Sequence, residues 1–254
     1  MAQAIQTRGP VTGSAAGPKK RRKFFLLDLY STAVGKKYAM AISGIALMGY
    51  VIAHAIGNLK MYLGPIDFNH YAEFLRELLV PIAPRTVVLW ILRVGLLGMA
   101  VLHIHAAYGL TIINRKARSV KYQSPRDYQV ANFASRTMRW SGIIILLFVV
   151  WHLSDLTWGF ANTVGTNETF HRGDAYGNVT NSLNRVPVAI LYIVANIALG
   201  IHLFHGAWSL FQSMGWNNPR FNKWRRGFAT GFATLIVVIN VSFPIAVLAG
   251  IVSY

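Results

Sequence analysis

Five stretches of this chain are long and apolar enough to cross a bilayer, and that limits its fold more than any other feature. They run over about 38–59, 87–113, 138–160, 186–211 and 228–252, each meeting the roughly 18 apolar residues that mark a transmembrane helix. A backbone exposed to lipid must satisfy its own hydrogen bonds, so all five are predicted to be helices. The fold class is therefore all-α, a polytopic membrane protein built as a five-transmembrane-helix bundle over residues 31–254. Residues 1–30 precede it as a flexible basic tail, rich in Gly, Ala and Pro and ending in KKRRK, with a short interfacial segment. A signal peptide fits that tail poorly, because no small-residue cleavage site follows an early apolar run.

A net charge of +17 suggests nucleic acid at first sight, but in a membrane protein charge is counted loop by loop. Lys19 to Lys23, Lys36 and Lys37 precede the first span, and Arg115, Lys116, Arg118, Lys121, Arg126, Arg136 and Arg139 lie between the second and third. Arg220, Lys223, Arg225 and Arg226 precede the fifth. The alternate loops mix basic residues with Asp67, Glu73, Glu77, Glu168 and Asp174. The positive-inside rule then predicts a cytoplasmic amino terminus and an external carboxyl terminus, and the charge excess becomes topology rather than a nucleic-acid footprint. Triplets beginning at Asn167 and Asn178 match glycosylation acceptors in an outer loop, a pattern that also arises often by chance. His70 and His171 read as surface residues of the outer loops.

The other six histidines lie inside the apolar runs, where an ionisable side chain is expensive and marks a functional site by default. At 1.5 Å of rise per residue, His54 and His152 lie roughly 24 and 21 Å from the inner face, and His105 and His202 roughly 27 and 24 Å from the outer face. In a core about 30 Å thick this makes two layers. The outer holds His54 and His152, and the inner holds His103, His105, His202 and His205. Paired imidazoles from facing helices suit the two axial positions of a haem iron. Room for such a group calls for small neighbours, and Gly95, Gly98 and Gly109 share a helical face with His105, while Ala195, Ala198, Gly206 and Ser209 flank His202. That spacing favours His105 over His103, with His103 and His205 as alternative inner-layer ligands. The structural alternative is that small residues serve helix packing and the histidines bond across the bundle.

Ordered motifs run through the spans: STAVGKKYAMAISGI entering the first, HAIGNLKMYLGP leaving it, FNHYAEFLR in the first outer loop, HAAYGL on the second, WHLSDL on the third and IHLFHGAWSLFQSMGW on the fourth. In that order they resemble the membrane-anchor cytochrome b subunit of succinate dehydrogenase or fumarate reductase, of the single-polypeptide, five-span, two-haem type. The resemblance implies an outer haem b on His54 and His152 and an inner one on His105 and His202. It also implies a flavoprotein subunit that oxidises succinate and an iron–sulfur subunit that relays its electrons. This chain would anchor both in a bacterial cytoplasmic membrane and deliver the electrons to quinone.

A quinone pocket needs a hydrogen-bond donor and a proton source near one membrane face. Arg93 and Asp155 meet that need in the outer half, as quinone ligands, partners of haem propionates or partners of each other, and Ser31, Ser43 and Trp140 mark an inner alternative. Two further readings compete. In one, the inner histidines help hold a Rieske-type [2Fe-2S] cluster, whose two cysteines would come from a partner, since this sequence has none. In the other, the chain is a histidine-lined transporter, which predicts internal repeats or broken helices at the midplane; neither is read in the sequence.

Overall fold

The computed structural model describes residues 24–117, 133–165, 169–216 and 218–253. Its long helices begin where local chemistry starts them. A short exposed helix, α1 (Phe25–Ser31), stops at Thr32, whose backbone is extended and whose hydroxyl accepts from the Gly35 amide at 2.9 Å, capping α2 (Ala33–Asn58). This cap starts the first apolar helix five residues before the predicted span, and it carries on through a 3₁₀ turn at Leu59–Leu63. Gly64 then takes a positive φ of 99°, and Pro65 opens α3 (Pro65–Phe74).

The second span is α4 (Val87–Lys116). The third is α5 (Phe133–Leu153), which closes in a π-helical turn, Ser154–Trp158. Gly159 ends it with φ of 85°, its α-carbon so close to Phe170 that a Cβ would sit 2.5 Å from the ring. Asp174 caps α6 (Ala175–Asn184) by accepting from the Gly177 amide, and α7 (Val186–Ser213) follows with Pro187 in its first turn. The last helix, α8 (Asn222–Leu248), starts earlier than the predicted span, so Lys223, Arg225 and Arg226 belong to its first turns. All five predicted spans are present as helices long and apolar enough to cross a membrane.

Packing follows the chain. α2 packs on α4, α5 on α7 and α7 on α8, with α2 also meeting α7, while α4 and α5 share no comparable face. Gly200 lets α7 approach α8 so closely that a Cβ would collide with Val237. Two apolar clusters hold the bundle. Ala55, Leu203, Ala233 and Ile236 fill its middle, and Met61, Phe68, Tyr176, Leu183 and Phe243 fill the end capped by α3 and α6. Most large apolar side chains on α4 and α5 remain exposed, as helices solvated by lipid require.

Candidate functional site

Four histidines meet in two pairs along the bundle. His54 of α2 faces His152 of α5 with ring centres 5.9 Å apart and planes at 82°, and His103 of α4 faces His202 of α7 at 6.4 Å and 61°. Two imidazoles on one metal, each nitrogen about 2 Å from it and each ring centre about 1.2 Å further on, would lie about 6.4 Å apart. The pairs are thus spaced as axial ligands are, one near the α1 end and one nearer the α6 end. Ser43, beside His103, precedes His54 by eleven residues on α2, which sets the two sites about 16 Å apart along the helix.

Hydrogen bonds choose the free nitrogen on three of the rings. His103 Nδ1 lies 3.2 Å from the Met40 carbonyl, an acceptor only, so Nδ1 carries the proton and Nε2 keeps its lone pair. The Ser43 hydroxyl, which donates to the Ala39 carbonyl, lies 3.3 Å from the same nitrogen. On the other side of the pair, Ser141 donates to the Met138 carbonyl and accepts from His202 Nδ1 at 3.3 Å. His152 Nδ1 meets the Tyr192 hydroxyl at 3.3 Å. That hydroxyl donates to the Asp155 carboxylate at 2.7 Å, so it too accepts from the histidine. Each ring is therefore held in the tautomer that presents Nε2 to a metal, as outer partners of metal-bound histidines do. His54 is stacked on Tyr50 at 5.4 Å and 12°.

Glycine stands beside each inner ring. A Cβ on Gly44 would lie 3.5 Å from His103 Cε1, and one on Gly142 would lie 3.6 Å from His202 Cε1. A methyl would just touch the imidazole, and anything larger would push it aside.

The structure sets His103, rather than the expected His105, against His202. His103, Ala106 and Leu110 share the face of α4 that turns into the bundle, and Ala106 and Leu110 are buried. His105 lies on the exposed side, bonded to the Tyr30 hydroxyl at 2.5 Å and stacked on its ring. The glycine stripe that pointed to His105 lines no common pocket: nothing lies within 4 Å of a Cβ on Gly95 or Gly98, and Gly109 receives the Lys36 side chain. His205 is half-buried and joins neither pair. His70 and His171 are exposed.

The remaining polar candidates scatter. Asp155 is fully buried and bonded to Arg185 at 2.9 Å, to Ser182 at 2.5 Å and to Tyr192. The idea that it pairs with Arg93 therefore falls, since Arg93 is exposed on α4 with its guanidinium over Trp90. Ser43 is buried against His103, whereas Ser31 and Trp140 are exposed near the α1 end. Arg225, counted above with the basic loop, is buried, with its guanidinium over Trp208 and a bond to the Trp216 carbonyl. Asn178 is buried and bonded to the backbone of His171 through its side chain, which makes it a poor glycosylation acceptor, and Asn167 lies outside the described residues.

The pairs also expose a repeat that the sequence reading missed. Residues 40–54 read MAISGIALMGYVIAH and residues 138–152 read MRWSGIIILLFVVWH. Met, Ser, Gly, Ile, Val and His recur at one fixed offset, and Met40–Ser43 with His103 does what Met138–Ser141 does with His202. α2 and α4 thus correspond to α5 and α7, and each histidine pair joins equivalent helices of the two halves. The signal was there, in a self-comparison at an offset of about 98 residues.

Fold and site together define an integral membrane helical protein with two paired-imidazole centres stacked along its axis. The model of the succinate dehydrogenase/fumarate reductase transmembrane subunit family matches residues 114–241, and the chain belongs to that family. The match covers the half that carries His152 and His202, and the repeat relates the first half to it. No curated protein and no solved structure matches the chain. Membership makes this chain a membrane anchor of a succinate dehydrogenase or fumarate reductase complex.

Proposed function

We propose that this chain is the cytochrome b anchor of a succinate:quinone oxidoreductase, carrying one haem b on His54 and His152 and a second on His103 and His202. The observation that carries the reading is the pair of imidazole sites, spaced as axial ligands are, with Nδ1 already engaged on three of the four rings. Haem b supplies a one-electron carrier when bound. The protein's part is to hold each ring in the ligating tautomer and to stack the two centres across the membrane. Ser43, Ser141 and the Met40 carbonyl orient the inner pair. A Rieske-type cluster at the inner pair would need two cysteines from a partner.

The flavoprotein oxidises succinate, and the iron–sulfur subunit docks at the α1 end, where Arg115, Lys116, Arg220, Lys223 and Arg226 are exposed. That end is the cytoplasmic one by the positive-inside rule. Asp155 spends its oxygens on Arg185, Ser182 and Tyr192, which argues against an outer quinone site built on it. The inner boundary instead offers the exposed Tyr30–His105 pair, beside Ser31, whose hydroxyl donates to the Asp28 carbonyl, and quinone meets the chain there. A reduced-minus-oxidised spectrum of the purified complex, with haem quantified, tests the reading. Two b-type haems per chain are expected; iron and acid-labile sulfide in the membrane subunit without haem would sink it.

A further inference from the structure

The outer pair differs from the inner one in what stands behind its histidine. Behind His103 and His202 lie neutral acceptors, a serine hydroxyl and a backbone carbonyl. Behind His152 lies a chain of bonds that ends on a carboxylate. His152 Nδ1 donates to Tyr192 Oη, and Tyr192 donates to Asp155 Oδ2. Ser182 donates to the same oxygen at 2.5 Å, and Arg185 Nη2 to Oδ1 at 2.9 Å. The π-helical turn that follows α5 carries Asp155 into this position, one turn beyond His152. Tyr192 is buried, and Arg185 also binds the carbonyls of Ala161 and Val164, so the assembly is fixed from three sides.

The structure assigns Tyr192 and Asp155 as positioning residues for the outer haem: together they hold the His152 ring and set how strongly it donates to the iron. The assignment rests on the haem reading above. A hydroxyl that accepts from the far nitrogen of a ligating imidazole while leaning on a carboxylate raises the basicity of that imidazole. A more basic ligand favours the more positive, oxidised iron, so the tether lowers the potential of the outer centre relative to the same site without it. Ser182 acts in the opposite sense, because its bond to Oδ2 competes with that of Tyr192.

The test uses the purified complex, with redox titration and low-temperature electron paramagnetic resonance following each haem separately. Tyr192→Phe keeps the ring and removes the hydroxyl. It should raise the outer-haem potential and shift that haem's signal while the inner haem stays where it is. Ser182→Ala, which leaves Tyr192 in place, should move the outer potential the other way. Opposite signs are not what a loss of packing would give, and Ser182→Ala keeps the test open if Tyr192→Phe does not assemble. Unmoved outer signals in Tyr192→Phe, or shifts of the same sign in both variants, overturn the tether. A wild-type complex without haem overturns instead the reading on which it rests.

Discussion

His103 and His105 stand two residues apart on α4, about 200° around its axis, and that rotation separates a ring facing His202 from a ring facing Tyr30. Replacing His103 with Leu should therefore halve the haem content of the purified complex, while His105→Leu should leave it whole. A haemochrome assay on both variants decides between them, and the reverse result would restore the glycine stripe as the guide to the site. Gly142→Leu makes a subtler change. Its side chain would press on His202 Cε1, and overpacking of this kind typically costs about 1–3 kcal/mol. The expected result is an inner-haem spectrum that is shifted or lost beside an intact outer one. At Asp155 the stakes are larger, because removing one partner of a buried ion pair typically costs about 3–5 kcal/mol. Asp155→Ala should thus lower the thermal stability of the whole anchor, read as a lower midpoint in detergent, well before it reports on any cofactor.

Among the elements, the connection between α3 and α4 is ordered by charge rather than by a core. Arg76 meets the Glu73 carboxylate at 2.7 Å and Arg85 binds its other oxygen. Hydrogen bonding from Arg85 first, and then from Arg76, holds the Glu73 carboxyl below its usual range. A depressed carboxylate gives order that is complete above its unfolded range and is lost as the pH falls through the lowered folded one. Amide hydrogen exchange over residues 75–86 should then speed up only in acid, and Glu73→Gln should remove the protection at neutral pH as well. Protection that does not change with pH would show that the backbone bonds of the turn, such as Thr86 to the Arg76 carbonyl, suffice alone. The helices themselves were legible because length and hydropathy are local. Three start early: α2 because of the Thr32 cap, and α5 and α8 because basic residues of the preceding segments join their first turns.

For the whole molecule, the duplicated halves place both histidine pairs between equivalent helices and leave α4 and α5 apart while α2 and α7 close together. Exposed basic residues gather at the α1 end, and attraction between exposed charges is screened over about 10 Å at 0.1 M salt. Recovery of the iron–sulfur subunit with this anchor should accordingly fall in high salt, and fall further when Arg220 and Lys223 are both changed to Glu; recovery indifferent to both would move the docking surface elsewhere. By itself the sequence determined the number of spans and the shared depth of His54 and His152, because span length and 1.5 Å of rise per residue set depth without reference to neighbours. Tertiary structure decided which way each helix turns. Lipid is as apolar as a helix interior, so no amphipathic stripe marks the inward face of a membrane helix. Only the packing of α4 shows that Gly95 and Gly98 look outward and that His103, not His105, meets His202.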